Sequence, residues 1–289
     1  MTSPAVLTFI AIAYALSIGL SLIVGTTGGH ESSLIGLSLL SMPIPTVAAA
    51  IAGAMWQERL RLDWSRLPLR YGPLALLAIP VVLHAAMLPA AAILEGGLHW
   101  QAWLTPQTDG LYHAPAWGDL TPSGLIARIA TNAIAGVLVV SLLALLEEIG
   151  WRGWLLPRLI DRYGMRRAIF MTSVIWALWH VPYVLSGILQ IDGVSVMRTT
   201  ALQVLGTTAA GLVIGWLWVR TGSIWIVALA HGALNNWGQY AFKYMQDFAV
   251  ADPSLVLAAG DAALLVVGGL LVALGLPPAS RIAPSPATR

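Results

Sequence analysis

Eight stretches of this chain run for at least 18 residues without an Asp, Glu, Lys or Arg: 1–30, 32–57, 71–94, 129–146, 168–191, 199–219, 221–242 and 262–280. A helix needs roughly 18 or more such residues to cross the hydrocarbon layer, so these intervals constrain the fold more than any other feature. They cover the whole chain and leave no gap for a soluble domain beyond residues 95–124. Only 10% of the 289 residues are charged, against about 25% in a soluble domain, which excludes a cytosolic or secreted enzyme. The expected fold is an all-α polytopic membrane protein with about eight transmembrane helices, over 5–25, 33–55, 71–94, 128–151, 167–185, 200–220, 224–242 and 253–276. Residues 1–276 read as one integral-membrane domain, and the Pro- and Ser-rich 277–289 as a disordered cytoplasmic tail.

Basic residues set the expected orientation. Arg59, Arg61, Arg66 and Arg70, then Arg152, Arg158, Arg162, Arg166 and Arg167, then Arg220, Arg281 and Arg289, all fall on one side of an eight-span topology. Only Arg128, Arg198 and Lys243 fall on the other. The positive-inside rule then places both termini in the cytoplasm of a multi-pass protein of the cell (plasma) membrane. The start, Met1-Thr2-Ser3-Pro4, carries no basic segment or cleavage motif, so the first apolar run is expected to stay as a spanning helix. The basic residues form no arm or stripe, so nucleic acid is not an expected partner; lipid is. The 95–124 loop, with Trp100, Trp103, Trp117, His99 and His113, reads as an interfacial cap, with a lid over a cavity as the sharper alternative.

With no cysteine, chemistry must come from His, Glu, Asp, Ser or bound ions. Charges within a bilayer are costly and therefore informative. Three groups qualify: Glu147-Glu148-Ile149-Gly150-Trp151-Arg152, Trp176-Ala177-Leu178-Trp179-His180, and His231-Gly232-Ala233-Leu234-Asn235. Glu147 lies 11 residues before Arg158, His180 13 after Arg167 and His231 11 after Arg220. At about 1.5 Å per residue, all three sit roughly 16–20 Å deep, a depth compatible with one cluster. Glu148 and Arg152 are spaced i, i+4 and can pair; Glu147 points about 100° away, with no partner expected in its own helix. The same spacing puts His231 with Asn235, and Trp176 with His180, on shared faces, while Gly232 and Ala233 allow close helix approach. His84 reads as a packing residue, a break is expected near Pro157, and Asp261 reads as interfacial, with no identifiable partner.

The order Glu-Glu-x-x-x-Arg, aromatic-x-x-x-His and His-x-x-x-Asn on three membrane helices resembles the CAAX protease and bacteriocin-processing enzyme (CPBP, or Abi) family of intramembrane proteases, which includes the Ras-converting CAAX prenyl endopeptidases. The resemblance covers residues 125–242. It implies that Glu147 and His180 polarise the attacking water and that His231 and Asn235 stabilise the oxyanion. Glu148 and Arg152 would brace the site, and Trp176 would keep an aromatic wall where the family usually has Phe. A peptide or protein is the implied substrate, reaching the site from the membrane or the cytoplasm, and a buried Glu147 would require a water-filled cavity that opens to the cytoplasm. Glu with two His could bind zinc, but no His-Glu-x-x-His helix is present, so no cofactor is favoured and a metal-free glutamate mechanism is preferred. Two other classes stay open: a proton-coupled transporter, against which the lack of an internal repeat counts, and a non-catalytic scaffold or immunity protein.

Overall fold

In the computed structural model, residues 3–60, 62–100, 104–114, 118–237, 246–248 and 252–276 are described. The helices in chain order are α1 (Pro4–Gly25), α2 (Ile44–Trp56), α3 (Gly72–Leu94), α4 (Pro122–Thr131), α5 (Val137–Glu148), α6 (Leu156–Tyr163), α7 (Met165–Trp179), α8 (Val181–Leu185), α9 (Val196–Thr221), α10 (Ile224–Trp237) and α11 (Ser254–Leu274). The chain is an all-α polytopic membrane protein. Among the described residues, six helical runs are long and apolar enough to cross a bilayer. A seventh crossing is reached only if the 3-10 segment Ile35–Ser41 and α2, bent by 42° at the intervening break, count as one span. The expected 224–242 span is described as far as Trp237, as a 14-residue helix packed against α5, α3 and α9. The proposed tail, together with Trp103, Trp117 and Lys243, lies outside the described residues.

Local chemistry accounts for where several helices begin. Ser3 accepts a hydrogen bond from the Val6 amide with Pro4 in the first turn, and Thr121 does the same for Gly124 ahead of Pro122. Gly222, at φ 60°, closes α9 in the left-handed conformation that lets α10 turn back against it. From Thr207 to Trp218 every residue of α9 is buried, the mark of a helix surrounded by others. α11 and α7 pack on it, and α10 is enclosed by α5 and α3. Outward faces stay apolar: Leu138, Val139 and Leu142 on α5, and Val266 and Leu270 on α11, are more than half exposed, as lipid-facing side chains should be.

One run of 42 residues, Pro122–Tyr163, passes through two π-helical stretches, Asn132–Gly136 and Ile149–Leu155. The break expected near Pro157 does not occur. Proline at this position would drive its ring against the carbonyl of Gly153, and the wider π winding just upstream makes room for it, so the helix continues into α6.

The 95–124 region contains the pair of strands that sequence patterning missed. β1 (Tyr112–Ala114) and β2 (Gly118–Leu120) form a short antiparallel ladder, and the exposed His113 and Asp119 side chains bond across it at 2.6 Å. Trp100 pairs through its backbone with Gln246, tying this region to the segment after α10.

Candidate functional site

Glu147 and Glu148 end α5 where the π-helical Ile149–Leu155 begins, and both are buried, as is Arg152. Arg152 Nη1 donates to Glu148 Oε1 at 2.6 Å, as the i, i+4 spacing predicts. His231 Nδ1 meets the same oxygen at 2.9 Å, so Glu148 joins α5 to α10 as well as bracing Arg152. The guanidinium also lies over the Trp176 ring, 4.7 Å from its centroid.

Glu147 differs from expectation. It does have a partner in its own helix: Trp151 Nε1 donates to Glu147 Oε2 at 3.3 Å. Trp176 Nε1, from α7, donates to the same oxygen at 2.9 Å. Two indole N–H groups thus satisfy one oxygen of a carboxylate that is 1% exposed, leaving Oε1 outside that pair of bonds. Trp176 therefore does more than form an aromatic wall, because phenylalanine has no N–H to offer.

His180 caps the C-terminus of α7, and its Nδ1 lies 2.9 Å from the carbonyl oxygen of Trp176. A carbonyl only accepts, so Nδ1 carries the hydrogen and Nε2 keeps a free lone pair. The Trp176 ring stands edge-on to both imidazoles, with centroid separations of 5.6 Å to His180 and 4.8 Å to His231. His180 lies within electrostatic reach of both Glu147 and His231.

A cavity of about 240 Å3 unites these groups. Trp176, His180, His231 and Asn235 line it. Glu147 is not in the lining; it meets the cavity through Trp176, which both lines the space and donates to the carboxylate. The cavity brings together both histidines, with Asn235 one turn beyond His231. Gly232 provides the close approach foreseen for α10, since a Cβ there would lie 2.1 Å from Ser141 Oγ on α5. His84 bonds the Pro80 carbonyl at 2.7 Å in the manner of a packing residue.

Two expectations need correction. Asp261 is not interfacial: it is buried within α11 and lines the same cavity, opposite Gly206 of α9. Nor does the cavity lie towards the arginine-rich loops. Its wall includes Ile191, before α9, and Leu202 and Gln203 near the start of α9, whereas Arg220 stands at that helix's other end. His180, likewise, is at the end of α7 remote from Arg166 and Arg167. No described residue of 95–124 contributes to the wall.

Zinc fits this arrangement poorly. Among the described residues, no three His, Asp or Glu side chains converge as metal ligands.

With this geometry in view, the comparisons with known proteins fall on the same segment. The model of the type II CAAX prenyl endopeptidase Rce1-like family matches residues 129–237. The matched segment contains Glu147, His180, His231 and Asn235, along with Glu148, Arg152 and Trp176. The chain is also similar to CAAX prenyl protease 2 of Methanococcus maripaludis, at 24% identity over 138 residues. That alignment covers 47% of this chain and 51% of the relative, so the chain spans about half the length of the curated protein it matches. Asp261 and α11 lie beyond the Rce1-like segment.

Proposed function

We propose that the chain is an intramembrane endopeptidase of the CAAX-protease type, multi-pass in the cell membrane with both termini cytoplasmic. The observation that carries this reading is the convergence of His180, His231 and Asn235 on one cavity inside the Rce1-like segment, with Glu147 held at its wall by Trp176. Peptide hydrolysis needs a base, an oriented water and donors for a developing oxyanion, and these are the groups present.

Glu147 takes a proton from a water shared with His180 Nε2, and the resulting hydroxide adds to the peptide carbonyl carbon. The carbonyl oxygen becomes an oxyanion that accepts from Asn235 Nδ2 and from His231 Nε2. Because His231 Nδ1 is engaged by Glu148, donation from Nε2 requires a proton on both ring nitrogens. Collapse of the intermediate breaks the C–N bond, and Glu147 returns its proton to the departing amine. No step runs through a metal ion. The test of that point is chelator treatment with metal analysis: activity should survive, and a stoichiometric ion whose removal abolishes cleavage and whose return restores it would contradict the glutamate mechanism.

The peptidase reading itself is tested by reconstituting wild type and His231→Ala in liposomes with short peptide pools in 18O-water. Wild type should produce new C-termini carrying one 18O, and the variant, shown to be folded by circular dichroism, should not. Proton flux driven by a pH gradient, without any hydrolysis, would instead favour a transporter.

A further inference from the structure

We infer that the cavity wall formed by Asp261, with Gln203 beside it, is a subsite for a basic side chain of the peptide substrate, whose ammonium or guanidinium pairs with the Asp261 carboxylate. The inference rests on the peptidase reading for its substrate, and on separate observations for its chemistry.

Asp261 is 8% exposed and is the one charged residue of α11, which is otherwise almost entirely apolar. An isolated carboxylate there is costly, and an apolar residue would pack more cheaply. Space has nevertheless been cleared for it. A Cβ on Gly206 would lie 2.6 Å from Asp261 Oδ1 and 2.9 Å from its Cγ, so a side chain at that position of α9 would displace the carboxylate from its present place. Among the described residues, no Arg, Lys or His bonds Asp261. The site's buried cation, Arg152, is committed to Glu148.

The surroundings fit a Lys or Arg side chain. Leu83, Leu202, Leu257 and Leu264 supply an apolar wall for its aliphatic stem, and Asp261 waits at the polar end. Gln203 uses its amide N–H on Thr207 Oγ1 at 2.7 Å, which leaves its carbonyl oxygen as a second acceptor. A subsite offering acceptors and an acid, in the same cavity as His180, His231 and Asn235, selects a donor with positive charge.

The test uses the full-length protein in detergent micelles and short degenerate peptides with one fixed residue: Lys, Arg, norleucine or Glu. Peptides retained on immobilised protein are quantified by mass spectrometry, and cleavage of the same pools is read in parallel. Wild type should retain Lys or Arg pools about tenfold more than norleucine pools and Glu pools least, and folded Asp261→Asn should lose the distinction between Lys and norleucine. Equal retention of Lys, norleucine and Glu pools by wild type overturns the subsite without recourse to any variant. A Lys preference undiminished in Asp261→Asn also overturns it. Charge-selective binding with no cleavage supports the subsite and removes the peptidase reading; cleavage with no charge selection does the opposite.

Discussion

Glu147 and Glu148 are neighbours in sequence with unlike surroundings: one is held by neutral indole donors, the other by a guanidinium and an imidazole. Their variants should therefore differ. Glu148→Gln leaves Arg152 buried without its counter-charge and should cost about 3–5 kcal/mol, seen as a lower unfolding midpoint in detergent. Adding Arg152→Met should recover much of that stability without restoring activity, because glutamine at 148 can still accept from His231 Nδ1 but no longer supplies the negative charge that holds a second proton on the ring. Recovery of both would mean that Glu148 serves Arg152 alone. Trp176→Phe retains the ring and removes the shorter of the two donors to Glu147. A hydrogen bond to a charged group contributes about 1.5–3 kcal/mol, so turnover should fall roughly ten- to a hundredfold while the fold persists. Unchanged turnover would show that Trp151 alone suffices. The Glu148–Arg152 pairing was legible in sequence because it obeys i, i+4 spacing within one helix. The Trp176 bond was not, because a contact across helices leaves no trace in periodicity. Asp261 was misplaced for a related reason: its location depends on Gly206, a gap on another helix.

At the scale of elements, the site depends on helices brought unusually close. Gly150 lies within the Glu-Glu-x-x-x-Arg motif, and a Cβ there would come 2.4 Å from the backbone carbonyl of Pro45. Backbone cannot swing aside as a side-chain tip can. Gly150→Ala should thus push α2 from the α5 run and destabilise by about 1–3 kcal/mol, measured by thermal denaturation in detergent. Stability equal to wild type would show that the two segments are free to slide. The spans themselves were readable, since charge-free length is a direct consequence of bilayer thickness. The π-helical stretch at Ile149–Leu155 was not, because a wider winding just upstream of Pro157 changes neither composition nor hydropathy. The β1–β2 hairpin escaped notice because three-residue strands are too short to show alternation.

For the whole molecule, the proposed orientation and the position of the cavity bear on each other. With the arginine-rich loops in the cytoplasm, the cavity lies towards the opposite half of the membrane, bounded by Ile191 and the first turns of α9. The absence of cysteine makes this easy to examine, because single cysteines need no background removed. In intact cells, Ser65→Cys should resist a membrane-impermeant maleimide and Asp109→Cys should react; the reverse pattern would invert the topology. The central claim is chemical, and the most direct measurement is the rate of peptide hydrolysis by Glu147→Gln beside wild type, both purified, folded and reconstituted in the same lipid. Loss of a general base predicts a fall of about a hundredfold or more, with peptide binding retained. Hydrolysis within a factor of about two of wild type would contradict the account, since a positioned base is expected to contribute at least about a hundredfold.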